Sequence, residues 1–181
     1  FGSASSALYF MRFTRGIEEI LITPFSYVEM LIGFVGSAVA RAVMVACLIL
    51  LVGLAFGAVT LVSPLGFLLY ISAIAAIFAM LGIVVALWAE SFEQLQVLNT
   101  FVITPLTYLG GIFYSITMLP PLAATITRYN PFFYFADGVR GSMTGYHEAN
   151  TTVGFFVIGG LVVGLGIIVT TLFRRGWKIR S

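Results

Sequence analysis

Few side chains in this sequence could do covalent, acid–base or metal chemistry. There is one histidine, His147, and one cysteine, Cys47. Cys47 lies inside an apolar run, so no disulfide can form within the chain and it reads as a small buried residue. His147 lies in a polar stretch with no Cys or second His near it, so metal-ligand spacing is missing. No G-x-x-x-x-G-K-[ST] stretch is present to cradle the phosphates of ATP. The chain therefore does not read as an enzyme, and any work it does with ATP needs a partner.

One charged stretch stands apart. The chain has 9 basic and 7 acidic side chains, and Arg12, Arg15, Glu18 and Glu19 fall together in RFTRGIEEILITP. Phe13, Ile17, Ile20 and Leu21 recur at i, i+4, i+7 and i+8, one stripe of a helix. The charges lie largely off that stripe, and Pro24 ends the pattern. Such a helix is too short and too charged to span. It lies along a membrane surface or presses its charged face on a protein. A purely interfacial helix is usually basic; two acids beside two bases suit a protein partner of mixed charge.

The elements around it must be membrane spans. The 181 residues are 60% hydrophobic, 9% charged and have a mean hydropathy of +1.09. A soluble domain is nearer ~45–50% apolar and ~25% charged. The net charge of +2 gives no footing for nucleic acid. Apolar segments at residues 31–59, 64–88, 95–114 and 153–173 each approach the ~20 residues a helical span needs. Alternating β-barrel strands are not seen. FGSASSALYFM, residues 1–11, is too short to span and reads as the end of a preceding span. Arg12 and Arg15 before the first long span, and Arg174, Arg175, Lys178 and Arg180 after the last, place both ends on the cytoplasmic side. The whole is expected to be one transmembrane domain, 1–181, with residues 12–30 as a cytoplasmic helix region and 174–181 as a cytoplasmic tail. Arg41 either snorkels to the inner headgroups or pairs with Glu90 or Glu93. No Asp or Glu falls at the centre of a span, which counts against ion-coupled transport.

Two more patterns are candidates for function. Gln96, Thr100, Thr104, Thr107 and Gly111 follow one another at helical spacing, with Asn99 beside them. This polar stripe is either a helix–helix or dimer contact or the wall of a substrate path. Pro105 should bend the span. The outer segment 119–152 carries Tyr129, Phe132, Phe133, Tyr134 and Phe135 around the break at Asn130-Pro131. That fits an interfacial aromatic belt or two short helices dipping into the outer leaflet. Asp137 and Arg140, at i and i+3, could pair.

RGIEEILITPFSYVEMLIG, SFEQLQVLNTFVITPLTYLGGIFYSITMLPP and RYNPFFYFADGVRG resemble the ABC-2 type permease family from about Arg12 to Ser181. These are membrane subunits of bacterial ABC exporters, including nodulation-factor, O-antigen and teichoic-acid transporters. The likeness is strongest to a branch whose ATPase is separately encoded. It implies an all-α integral membrane fold in which this chain holds the last four helices of a six-helix domain. It implies a coupling helix bearing Arg12, Arg15, Glu18, Glu19, Thr23 and Pro24, docked on an ATPase subunit that binds ATP and magnesium. It implies short re-entrant helices as an outer gate, with Tyr129, Asn130, Pro131, Asp137 and Arg140. The expected assembly is two permease copies with two ATPase copies in the bacterial inner membrane. The expected cargo is lipid-linked, glycan or amphiphilic. A non-transporting helical scaffold or assembly protein is the alternative.

Overall fold

The computed structural model describes residues 2, 5, 6, 9, 10, 27–89 and 91–175. Among them every regular element is helical. In chain order these are α1 (Tyr27–Ala55), α2 (Pro64–Trp88), α3 (Phe92–Leu98), a π-helical turn (Asn99–Ile103), α4 (Thr104–Tyr108), a 3₁₀ turn (Ile116–Met118), α5 (Pro121–Tyr129), α6 (Pro131–Thr144) and α7 (Thr151–Arg175). The segment expected to be a coupling helix, with Arg12, Arg15, Glu18, Glu19, Thr23 and Pro24, lies outside the described residues, as do Glu90 and the tail after Arg175.

Local chemistry sets the ends of these helices. Ser63 is extended, and its hydroxyl accepts the Gly66 N–H at 3.2 Å. Pro64 follows at the first helical position, where its missing N–H is no loss. Asn130 does the same for α6, accepting the Phe132 N–H at 3.0 Å ahead of Pro131. Gly145 closes α6 in the left-handed region at φ 76°, which a side chain disfavours.

α2 sits at the centre, packed against α1, α6 and α7. Its Ile77, Ile83 and Leu87 meet Phe132 and Phe135 of α6 and Leu165, Val169 and Phe173 of α7. Phe78 meets Phe132 and Phe135 edge to face, with ring centroids 5.3 and 6.2 Å apart. A helix apolar all round belongs inside a bundle or in lipid. In a bilayer the gain from such contacts is close packing rather than escape from water. Three helices, Val28–Ala55, Pro64–Trp88 and Thr151–Arg175, are long and apolar enough to cross a membrane. Large apolar side chains such as Ile49 and Leu48 of α1 face outward, as lipid contact or further helices require.

The segment expected as a span at 95–114 takes another form. It is helical from Phe92 to Tyr108, with a π turn in the middle, and then stops. The cause of the π turn is local. Pro105 has no N–H to offer, and the ladder widens just before it, so that Thr104 N–H and hydroxyl both reach the Asn99 carbonyl. The cause of the stop is long-range. Gly111 adopts φ 76°, and Gly110 lies against Phe132 so closely that a Cβ there would collide with it. The chain turns at these glycines and runs into the outer segment.

Candidate functional site

The polar stripe and the outer segment converge on one end of the bundle. Along α3, the π turn and α4, Gln96, Thr100 and Thr104 are exposed, whereas Asn99 and Thr107 are half-buried. Two of the hydroxyls are satisfied locally: Thr104 donates to Asn99 O at 2.9 Å and Thr107 to Ile103 O at 2.7 Å. Thr107 also lines a cavity of about 640 Å³, together with Arg140, Phe132 and Phe135 of α6 and Ile74 and Phe78 of α2. Its wall is mostly apolar, and Arg140 is its one charged residue.

Asn130 is the joint between the two parts. It is buried, caps α6 through its side-chain oxygen, and donates from Nδ2 to the Leu106 carbonyl at 2.9 Å. That carbonyl belongs to the last turn of α4, where helix acceptors lack partners. Pro131, half-buried, opens α6, and Tyr129 beside it is 86% exposed.

One turn further, four charged or ionisable side chains form a closed set. Asp137 is buried and does not pair with Arg140 as the i, i+3 spacing suggested. Its Oδ2 lies 3.1 Å from His147 Nδ1, and its Oδ1 accepts the Glu148 N–H at 2.6 Å. Arg140 instead holds Glu148, Nη1 to Oε1 at 3.1 Å, and donates from Nη2 to the Gly111 carbonyl at 2.6 Å. Glu148 Oε2 accepts the Ile116 N–H at 3.0 Å. Burial alone would raise the Glu148 carboxyl. Hydrogen bonds from Ile116 and Ser115 and the Arg140 charge outweigh it, and its pKa lies below the ordinary 4.5. Gly141 makes room for the imidazole, since a Cβ at that position would run into the His147 ring.

Glu148 and Gly141 were not singled out from sequence, and His147 and Gly111 were noted there without these partners. The signal was weak: Asp137 is 10 residues from His147 and Ile116 is 32 from Glu148 along the chain, and only the fold brings them together. The arrangement ties the 111–118 and 145–150 segments onto α6. Among the described residues no group of His, Cys, Asp and Glu could hold a metal.

Helices of this length and polarity, with ionisable groups gathered at one end of the bundle, define a multi-pass membrane protein. The ABC-2 type transporter family model matches residues 1–144. The inner membrane transport permease YadH of Escherichia coli K12 is 32% identical over 181 residues, all of this chain and 71% of that protein. Nodulation protein J of Rhizobium leguminosarum bv. viciae is 27% identical over 165 residues, 91% of this chain and 64% of that protein. Nodulation protein J of Rhizobium meliloti strain 1021 is 30% identical over 135 residues, 75% of this chain and 52% of that protein. No solved structure matches. The chain belongs to the ABC-2 type transporter family and is a membrane transport permease within it.

Proposed function

We propose that the chain is the permease part of an ABC exporter in the bacterial inner membrane, with its C-terminus cytoplasmic. A separate ATPase subunit, present in two copies and charged with ATP and magnesium, drives it, and two permease copies face each other. The cargo is a lipid-linked, glycan or amphiphilic molecule. The observation that carries this reading is the 32% identity to an inner membrane transport permease along the entire chain. Arg12, Arg15, Glu18, Glu19, Thr23 and Pro24 form the docking helix for the ATPase. The exposed Gln96, Thr100 and Thr104, with Asn99 and Thr107, face either the cargo or the second copy. No described helix of this chain covers the exposed three. α5 and α6 are the re-entrant outer gate, held by Asn130, Asp137 and Arg140 and edged by Tyr129 and Pro131.

The test is co-expression of the full permease with its candidate ATPase, with and without Glu18→Arg plus Glu19→Arg. Loss of pull-down and of permease-stimulated ATP turnover, with membrane insertion intact, supports docking by that helix. Association that survives untouched overturns the docking assignment. A scaffold reading has one observation in its favour: the Thr104 and Thr107 hydroxyls are bonded to their own helix. On that reading Thr100→Ala and Thr104→Ala leave all transport unchanged.

A further inference from the structure

Arg41 lies at the midpoint of α1, fourteen residues from either end, or about 21 Å at the helical rise. It is exposed along the described chain and lines a second cavity, of about 450 Å³, between α1 and α2. That volume is within the range of small-molecule pockets. Ala38, Ala42 and Ala46 of α1 and Ala75 of α2 leave the space open, and Phe78 forms its inner wall. Phe78 is ten residues from Trp88 at the far end of α2, about 15 Å. A guanidinium at that depth meets a headgroup by reaching along the helix while the headgroup sinks into the groove and the bilayer thins around it. Arg41 is the one charged residue lining this cavity.

A cation at this depth needs a countercharge, and none of the described residues gives it one. Among the described residues Arg41 makes no hydrogen bond or ion pair. The seven acids of the sequence are Glu18, Glu19, Glu29, Glu90, Glu93, Asp137 and Glu148. Asp137 and Glu148 are committed to the outer cluster. Glu29 lies in the first turn of α1 and Glu93 in that of α3. Glu90 directly follows α2, and Glu18 and Glu19 precede α1 in sequence. None of the seven falls within the middle of a described long helix.

We propose that the α1–α2 groove is a binding site for an anionic membrane amphiphile, with its phosphate on Arg41 and its acyl chain among Ala42, Ala46 and Ala75. The site is independent of ATPase docking, so it can stand if the transport reading falls. The guanidinium binds phosphate oxygens, and the discrimination comes from net charge: a zwitterionic headgroup carries its own cation beside the phosphate, which repels Arg41 and already neutralises the anion.

The experiment is native mass spectrometry of the full permease with equal amounts of phosphatidylglycerol and phosphatidylcholine of the same chains. The wild type is expected to retain phosphatidylglycerol about tenfold more tightly, the size of one charge-assisted hydrogen bond. Arg41→Gln should bring that ratio close to one, and Arg41→Lys should keep most of it. Ala75→Leu fills the groove while leaving the charge, and should also remove retention if Arg41→Gln proves too unstable to purify. Equal retention of both lipids by the wild type overturns the proposal. So does an unchanged preference in Arg41→Gln and Ala75→Leu. A lower melting temperature for Arg41→Gln with the preference intact also overturns it, because the charge is then met by an acid elsewhere in the assembled permease.

Discussion

Arg140 and Arg41 each line a cavity against α2, and the two cavities share Ile71, Ile74 and Phe78 as a common wall. Around Arg140 everything is answered: Glu148 takes its charge, the Gly111 carbonyl takes a second donor, and neighbouring Asp137 holds His147 and a backbone N–H. Around Arg41 there are alanines and empty space. Polar groups that satisfy one another fix a shape. A charge without a partner among the described residues, in an apolar span, is available to something that arrives. The outer end is therefore built to hold and the mid-depth groove to receive.

The contrast can be broken most strongly at Asp137. Asp137→Ala strands the Glu148 N–H and the His147 ring, and should cost about 2–3 kcal/mol of stability. Thermal unfolding in detergent, read by near-UV circular dichroism, checks this. An unchanged melting temperature would show the outer cluster to be ornamental. Gly141→Ala should cost about 1–3 kcal/mol, because the new methyl pushes the imidazole off α6. Gly141→Ala with His147→Ala should recover much of that loss, which isolates the collision from any effect on the helix.

Glu148→Gln keeps an acceptor for Ile116 but removes the charge facing Arg140, at about 1–2 kcal/mol. Its pH dependence has a definite sign. The folded carboxyl titrates below its ordinary 4.5. The stabilisation is full above that ordinary value and is lost as pH falls through the lower folded one. The gap between wild type and Glu148→Gln should therefore close in acid. The smallest effect is expected at Arg41. Arg41→Gln breaks no bond among the described residues and should leave stability within about 0.5 kcal/mol, so the same melting assay separates a holding arginine from a receiving one.

Much of the architecture is legible because its causes are local. Ser63-Pro64 and Asn130-Pro131 announce the starts of α2 and α6, and length with hydropathy marks three long apolar helices. The third expected span was drawn past its end because nothing near Gly111 says that a guanidinium 29 residues on will capture its carbonyl. The same distance effect hid the real partners of Asp137 and Arg140. The i, i+3 spacing placed both on α6 correctly, but each reaches off the helix to the loop that follows. His147 looked idle for that reason: its meaning depends on Gly141 having no side chain.

The loop between α1 and α2 is hydrogen-bonded onto the end of α6. Thr60 Oγ1 and Val62 N–H share the Met143 carbonyl, at 3.0 and 3.2 Å, and Ser63 N–H takes the Ser142 carbonyl at 2.9 Å. These are last-turn acceptors that α6 cannot satisfy itself. The first turn of α2 and the last turn of α6 are in effect welded. A twist applied at either helix is carried to the other as torque.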